Sequence, residues 1–62
     1  MDSETELFNQ LDLTWVRVSR DKVIHLLPKI KEQDKFLICD RDLFRIVSRG
    51  MIGFYQPTEI VV

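Results

Sequence analysis

The hydrophobic pattern changes period several times along the chain, and each change marks an element. Leu7, Phe8 and Leu11 recur at i, i+1 and i+4, the stripe of a short helix. Ser3, Glu4, Thr5 and Glu6 precede it in capping-box spacing: a serine that accepts from the third helical amide and a glutamate that reaches back. Glu4 and Glu6 also suit the positive end of the helix dipole. So short a helix does not hold alone in water and must pack on something. Residues 13–18 then alternate. Thr14, Val16 and Val18 share one face and Leu13, Trp15 and Arg17 the other, and tryptophan among β-branched residues suits a strand.

The next segment admits two readings. Val23, Ile24, Leu26, Leu27 and Ile30 make a helical stripe, with Ser19 or Asp21 as its cap. Pro28 opposes a continuous helix, because inside one it removes a hydrogen bond and clashes with the preceding turn, at about 3 kcal/mol. The rival is a hairpin joining residues 16–18 to 23–27, with no Asn-Gly or Asp-Gly at its turn. The pattern favours a helix over about residues 20–27, broken or kinked at Pro28, followed by a charged connection over residues 29–35. Phe36, Leu37, Ile38 and Cys39 predict a short buried strand. Asp40 can cap a helix over residues 41–49, with Gly50 as its left-handed stop. Alternatively, residues 44–48 and 51–55 form a hairpin turning at Arg49 and Gly50. In either case residues 51–55 read as a strand, residues 56–58 turn the chain, and residues 59–62 return as a terminal strand. The sum is an α+β domain: an N-terminal helix, three or four short strands, and one or two further helices on one side of the sheet. A small all-β barrel with an N-terminal helix is the alternative.

Composition narrows the classes of function. At 62 residues the chain holds one domain, and 45% hydrophobic with 31% charged residues is a globular composition. No apolar run reaches the length of a bilayer span, and the acidic N-terminus has no signal-peptide pattern, so a cytoplasmic protein without a membrane partner is expected. The lone Cys39 permits no intramolecular disulfide and fits a reducing compartment; among apolar neighbours it reads as a small buried hydrophobe. One cysteine and one histidine, His25, cannot supply a structural zinc site, and no cofactor or metal is expected. Nucleophilic catalysis would need Cys39, Ser3, Ser19 or Ser48 beside His25 with a third group to orient the ring, and no local motif joins them. Gly50 and Gly53 belong to no phosphate-binding loop. The chain is therefore read as non-catalytic.

The net charge of −1 conceals a split. Residues 1–12 form an acidic helical arm carrying Asp2, Glu4, Glu6 and Asp12, while every lysine and arginine lies beyond it. On a helix over 41–49, Arg41, Arg45 and Arg49 would line one face, spaced for successive phosphates or carboxylates. With Arg17 and Arg20 they are the candidate partner-binding residues. Asp40 and Asp42 beside the row, and an acidic chain overall, weigh against nucleic acid. Trp15, Phe44, Phe54 and Tyr55 could stack bases only by sharing an exposed face near Arg17; packing is their plainer role. Residues 18–23 resemble the opening of the second helix in helix-turn-helix proteins, but Trp15 and Arg17 occupy the place of that motif's compact turn. Residues 43–55 resemble a helix followed by a small wing. Neither resemblance identifies a family. The expected function is a non-catalytic interaction module, a regulator or adaptor acting through protein–protein contacts, with DNA or RNA binding through a basic helix face as the alternative. Ile60, Val61 and Val62 favour a paired strand, whose open edge would join two copies as a homodimer.

Overall fold

In the computed structural model, which describes residues 2–55 and 59–61, Asp2 caps the first helix. Its Oδ1 accepts from the Glu4 amide at 2.9 Å, so Ser3, the expected cap, is instead the first helical residue. Helix α1 covers Ser3–Leu13 and buries Phe8 and Leu11. Because it runs through Leu13, the strand expected over 13–18 shrinks to β1, Val16–Arg17.

The apolar stripe after β1 divides into two helices, α2 (Arg20–Ile24) and α3 (Leu27–Glu32). The Ser19 hydroxyl accepts from the Lys22 amide and caps α2. Pro28 sits in the first turn of α3, where a missing N–H breaks no helical bond and the fixed φ suits the helix. The proline thus opens a helix as well as closing one, and residues 29–32 are helical rather than a connection. The chain leaves α3 through Asp34 at φ 57°, a left-handed position that a short polar side chain tolerates.

Strands β2 (Lys35–Asp40) and β3 (Leu43–Ser48) pair along their whole length, from Lys35 opposite Ser48 to Asp40 opposite Leu43. Arg41 and Asp42 make the two-residue loop, with Arg41 at φ 64°. This hairpin replaces the helix expected over 41–49 and the helix-and-wing pattern over 43–55. Residues 51–55 are not a strand either: Arg49–Phe54 is a short 3-10 helix. In β3, Phe44 and Ile46 point to one side, against Cys39 and Leu37 of β2, while Arg45 and Val47 point to the other. Strand β4, Glu59–Ile60, pairs with β2 through Ile38 and Ile60. The turn expected over 56–58 and the strand end at Val62 lie outside the described residues.

The sheet is antiparallel and open, in the order β1-β3-β2-β4, so the fold is α+β and not the alternative barrel. Its helical face holds the core: Phe8, Leu11, Val23, Leu26 and Ile30 over Leu37, Cys39, Phe44 and Ile46. Full burial of a side chain of this size contributes about 1.5–3 kcal/mol. The acidic arm is fastened to this core. Lys35 Nζ lies 2.7 Å from Asp12 Oδ1 and Lys29 Nζ 3.4 Å from Thr5 Oγ1, and both ammonium groups stand over the Phe8 ring, at 5.8 and 5.0 Å. On the opposite face Ile38 and Val47 are also buried, and the 3-10 helix packs against β2 and β3. No helix among the described residues is long and apolar enough to cross a membrane.

Candidate binding edge

The five candidate arginines do not form one stripe. Arg41 is at the hairpin tip, Arg45 is within β3, and Arg49 follows its far end, so roughly 20 Å of strand separates the outer two. Arg17 pairs across from Leu43 and forms an ion pair with Asp42 at the tip. Arg49 grips Asp34 at the other end as a fork, Nη2 to Oδ1 at 2.8 Å and Nε to Oδ2 at 3.3 Å. Those hydrogen bonds, with the guanidinium charge behind them, hold the Asp34 carboxyl below its usual value and raise Arg49. Arg49 also lies over the Phe36 ring at 5.4 Å. Arg20 is exposed at the start of α2, away from the strand.

Arg45 differs from Arg17 and Arg49. Its guanidinium stands 5.1 Å from the centre of the Tyr55 ring, and its buried Nε has no hydrogen-bond partner among the described residues. A buried donor left unpaired costs about 1–3 kcal/mol. Tyr55 in turn meets Trp15 edge-on at 6.2 Å, a contact that holds the ring at the side of β3. Phe44 is buried on the helical face and Phe54 is 77% exposed, so the four aromatics do not share one face.

The main chain of β3 is open beside Arg45. Leu37 C=O accepts from the Val61 amide at 2.9 Å, on the β4 side of β2. Antiparallel ladders alternate, so the Leu37–Ile46 pair is one without mutual hydrogen bonds, and Ile46 N–H and C=O point away from β2. The Ser48 N–H, two residues on, points the same way. Phe44 meets Val16 of β1, but β1 pairs only with Leu43 and Phe44. No strand among the described residues lies beside Ile46 and Ser48. A groove of about 160 Å³ runs along this edge, with Asp12 and Lys35 on its helical side and Arg45, Met51 and Tyr55 on the other.

A larger groove of about 330 Å³ lies between the starts of α1 and α2, lined by Ser3, Glu4, Leu7, Asp21, Lys22, His25 and Leu26. It gathers a serine, the histidine and carboxylates, yet no hydrogen bond links the side chains of Ser3, His25 and Asp21. All three are exposed to water, where nothing orients the ring or dries the site. The Cys39 thiol is buried, 3.1 Å from the Arg41 carbonyl oxygen, which accepts from it. Among the described residues no group of three or more His, Cys, Asp and Glu could hold a metal ion.

Comparison with known protein families, with characterised proteins and with solved structures finds no match. The sequence singled out Arg45 but not its neighbours at the groove: Asp12, Lys35, Ser48 and Met51 carry no local signal for it. The alternative hairpin over residues 44–48 and 51–55 does place Arg45 on a strand, but with the wrong partner: β3 pairs with β2, and residues 49–54 are a 3-10 helix.

Proposed function

We propose that the chain is a non-catalytic interaction module, a cytoplasmic regulator or adaptor that works through protein–protein contacts at the open edge of β3. The observation that carries this reading is the stretch from Ile46 to Ser48, where main-chain hydrogen-bonding groups face a groove and no strand among the described residues covers them. Open edges template the pairing of another chain, and strand addition is an established mode of peptide recognition. Exposed Met51 beside it adds apolar contact area. Self-association is the second mode we propose, through the outer edge of β4, where Ile60 is 55% exposed. The nucleic-acid alternative loses the helix face on which it rested, since Arg41, Arg45 and Arg49 lie along a hairpin, and Arg17 and Arg49 hold carboxylates.

Ser48→Pro tests the edge. Ser48 already has φ −77°, within reach of proline, and its N–H points outward, so the ring fits the strand while blocking an added one. Tagged protein and the variant are each used to capture partners from the native host lysate, with and without nuclease. A protein retained after nuclease and lost by Ser48→Pro supports the reading. Capture that disappears with nuclease favours DNA or RNA, and equal capture by the variant removes the β3 edge.

A further inference from the structure

We propose that the β3 edge takes an extended acidic peptide as an added strand, with one carboxylate side chain of that peptide on Arg45. The inference rests on the edge reading above and names its partner. Three features select this occupant. Ile46 offers an N–H and a C=O, and Ser48 an N–H, at the spacing of alternate strand residues; a peptide backbone in β conformation answers that spacing. In the groove, Lys35 already neutralises Asp12 at 2.7 Å, so Arg45 is left as its uncompensated charge. Arg45 Nε, moreover, lacks a partner that a carboxylate would provide, and guanidinium–carboxylate pairs take two parallel hydrogen bonds.

The alternation of an added strand places the carboxylate. The peptide residue opposite Ile46 turns toward the helical face, and its neighbour opposite Val47 turns toward the face of Arg45. That neighbour is diagonal to Arg45, roughly 7–8 Å away between strands, a gap that a glutamate and an arginine bridge together. Met51 and Tyr55 wall the same side and flank the carboxylate, while the alternate residues of the peptide turn toward the helical face. A second copy of this chain is a poorer occupant, because pairing β3 with β3 brings two Arg45 charges to one seam. A nucleic-acid strand could satisfy the arginine but not the main-chain pattern.

The probe is an eight-residue peptide, acetylated and amidated, of valine and threonine alternating with glutamate; its control carries glutamine at each glutamate. Binding to the ¹⁵N-labelled protein is followed by amide shifts at low salt. The Ile46 and Ser48 amides should move and exchange more slowly, and the glutamate peptide should bind about tenfold tighter than the control. Arg45→Gln should erase that difference while leaving the control peptide's affinity unchanged, and Arg45→Lys should restore part of it. If glutamate and glutamine peptides bind alike, the carboxylate role is refuted and the edge reading stands. If neither moves those amides at millimolar concentration, both fall. A single-stranded oligonucleotide that moves them where the peptides do not would overturn the proposal for nucleic acid. The peptide comparison on the unaltered protein decides the matter even if Arg45→Gln does not fold.

Discussion

Replacing Arg41 with glycine separates the hairpin from the helix by the sign of its effect. In the structure Arg41 sits at φ 64°, the first position of a two-residue loop, where only Gly, Asn and Asp are at ease. A residue with a Cβ in left-handed backbone costs roughly 1–2 kcal/mol. Glycine removes that penalty but loses about 0.5–1 kcal/mol through the greater freedom of the unfolded chain. The Cys39 thiol donates to the Arg41 backbone oxygen, so glycine keeps that bond. The exposed side chain takes with it contacts of a few tenths of a kcal/mol. The net expectation is a gain of about 0.5–1 kcal/mol, which for a domain of this size raises Tm by roughly 2–8 °C. Thermal unfolding by circular dichroism measures it, with Arg41→Asn as a second variant expected to move the same way. On a helix over 41–49 the same glycine would cost stability. A Tm that falls with both variants refutes the hairpin turn.

Other consequences are simpler to state. Cys39 is 4% exposed, so a thiol reagent should label it slowly under native conditions, and Cys39→Ala should cost about 1–2 kcal/mol through a small cavity; immediate labelling would place the thiol outside the core. Asp34 is held below its usual carboxyl value by Arg49, so its contribution is complete above the unfolded pKa and is lost as pH falls through the lower folded one. Asp34→Asn, which keeps a side chain tolerant of the left-handed backbone, should therefore lower Tm slightly at pH 7, less in high salt, and not at all in strong acid. A gap unchanged by acid would show that the Arg49 fork is not its source. For the β4 edge, sedimentation equilibrium at micromolar concentration should show a dimer, and a clean monomer with concentration-independent unfolding would eliminate that mode.

What could be read in advance was local. The α1 stripe, the Ser19 cap and the inward Cys39 all follow from residues a few positions apart. Pro28 shows where local rules divide. A proline ends one helix and is equally welcome in the first turn of the next, and His25 and Leu26 carry no cap residue to announce the restart. The consecutive burial of Leu37, Ile38 and Cys39 demands cover on both faces of the sheet, which the expectation of helices on one side did not supply. The binding edge was less legible still. Its opening depends on β1 being short, which depends on α1 continuing through Leu13, a tertiary outcome that no window of the sequence contains.

The arginine row explains why the hairpin escaped detection. A spacing of four returns to one side of a helix, and being even it also returns to one side of a strand, so Arg41, Arg45 and Arg49 cannot tell the two apart. The decision belongs to β2. A six-residue strand buried on both faces needs a partner of matching length; β1 and β4 offer two residues each, and among the described residues only 43–48 are long enough and near enough. Once they pair, the row is stretched rather than wound. Its far end and the β1 arginine beside its tip find carboxylates in the flanking turns, Arg49 with Asp34 and Arg17 with Asp42. Arg45, in mid-strand beside an open edge, is too far from either turn, and its Nε has no partner among the described residues. The same long-range pairing that dissolves the basic stripe therefore leaves Arg45 beside the open edge of β3, the place we propose for an incoming strand.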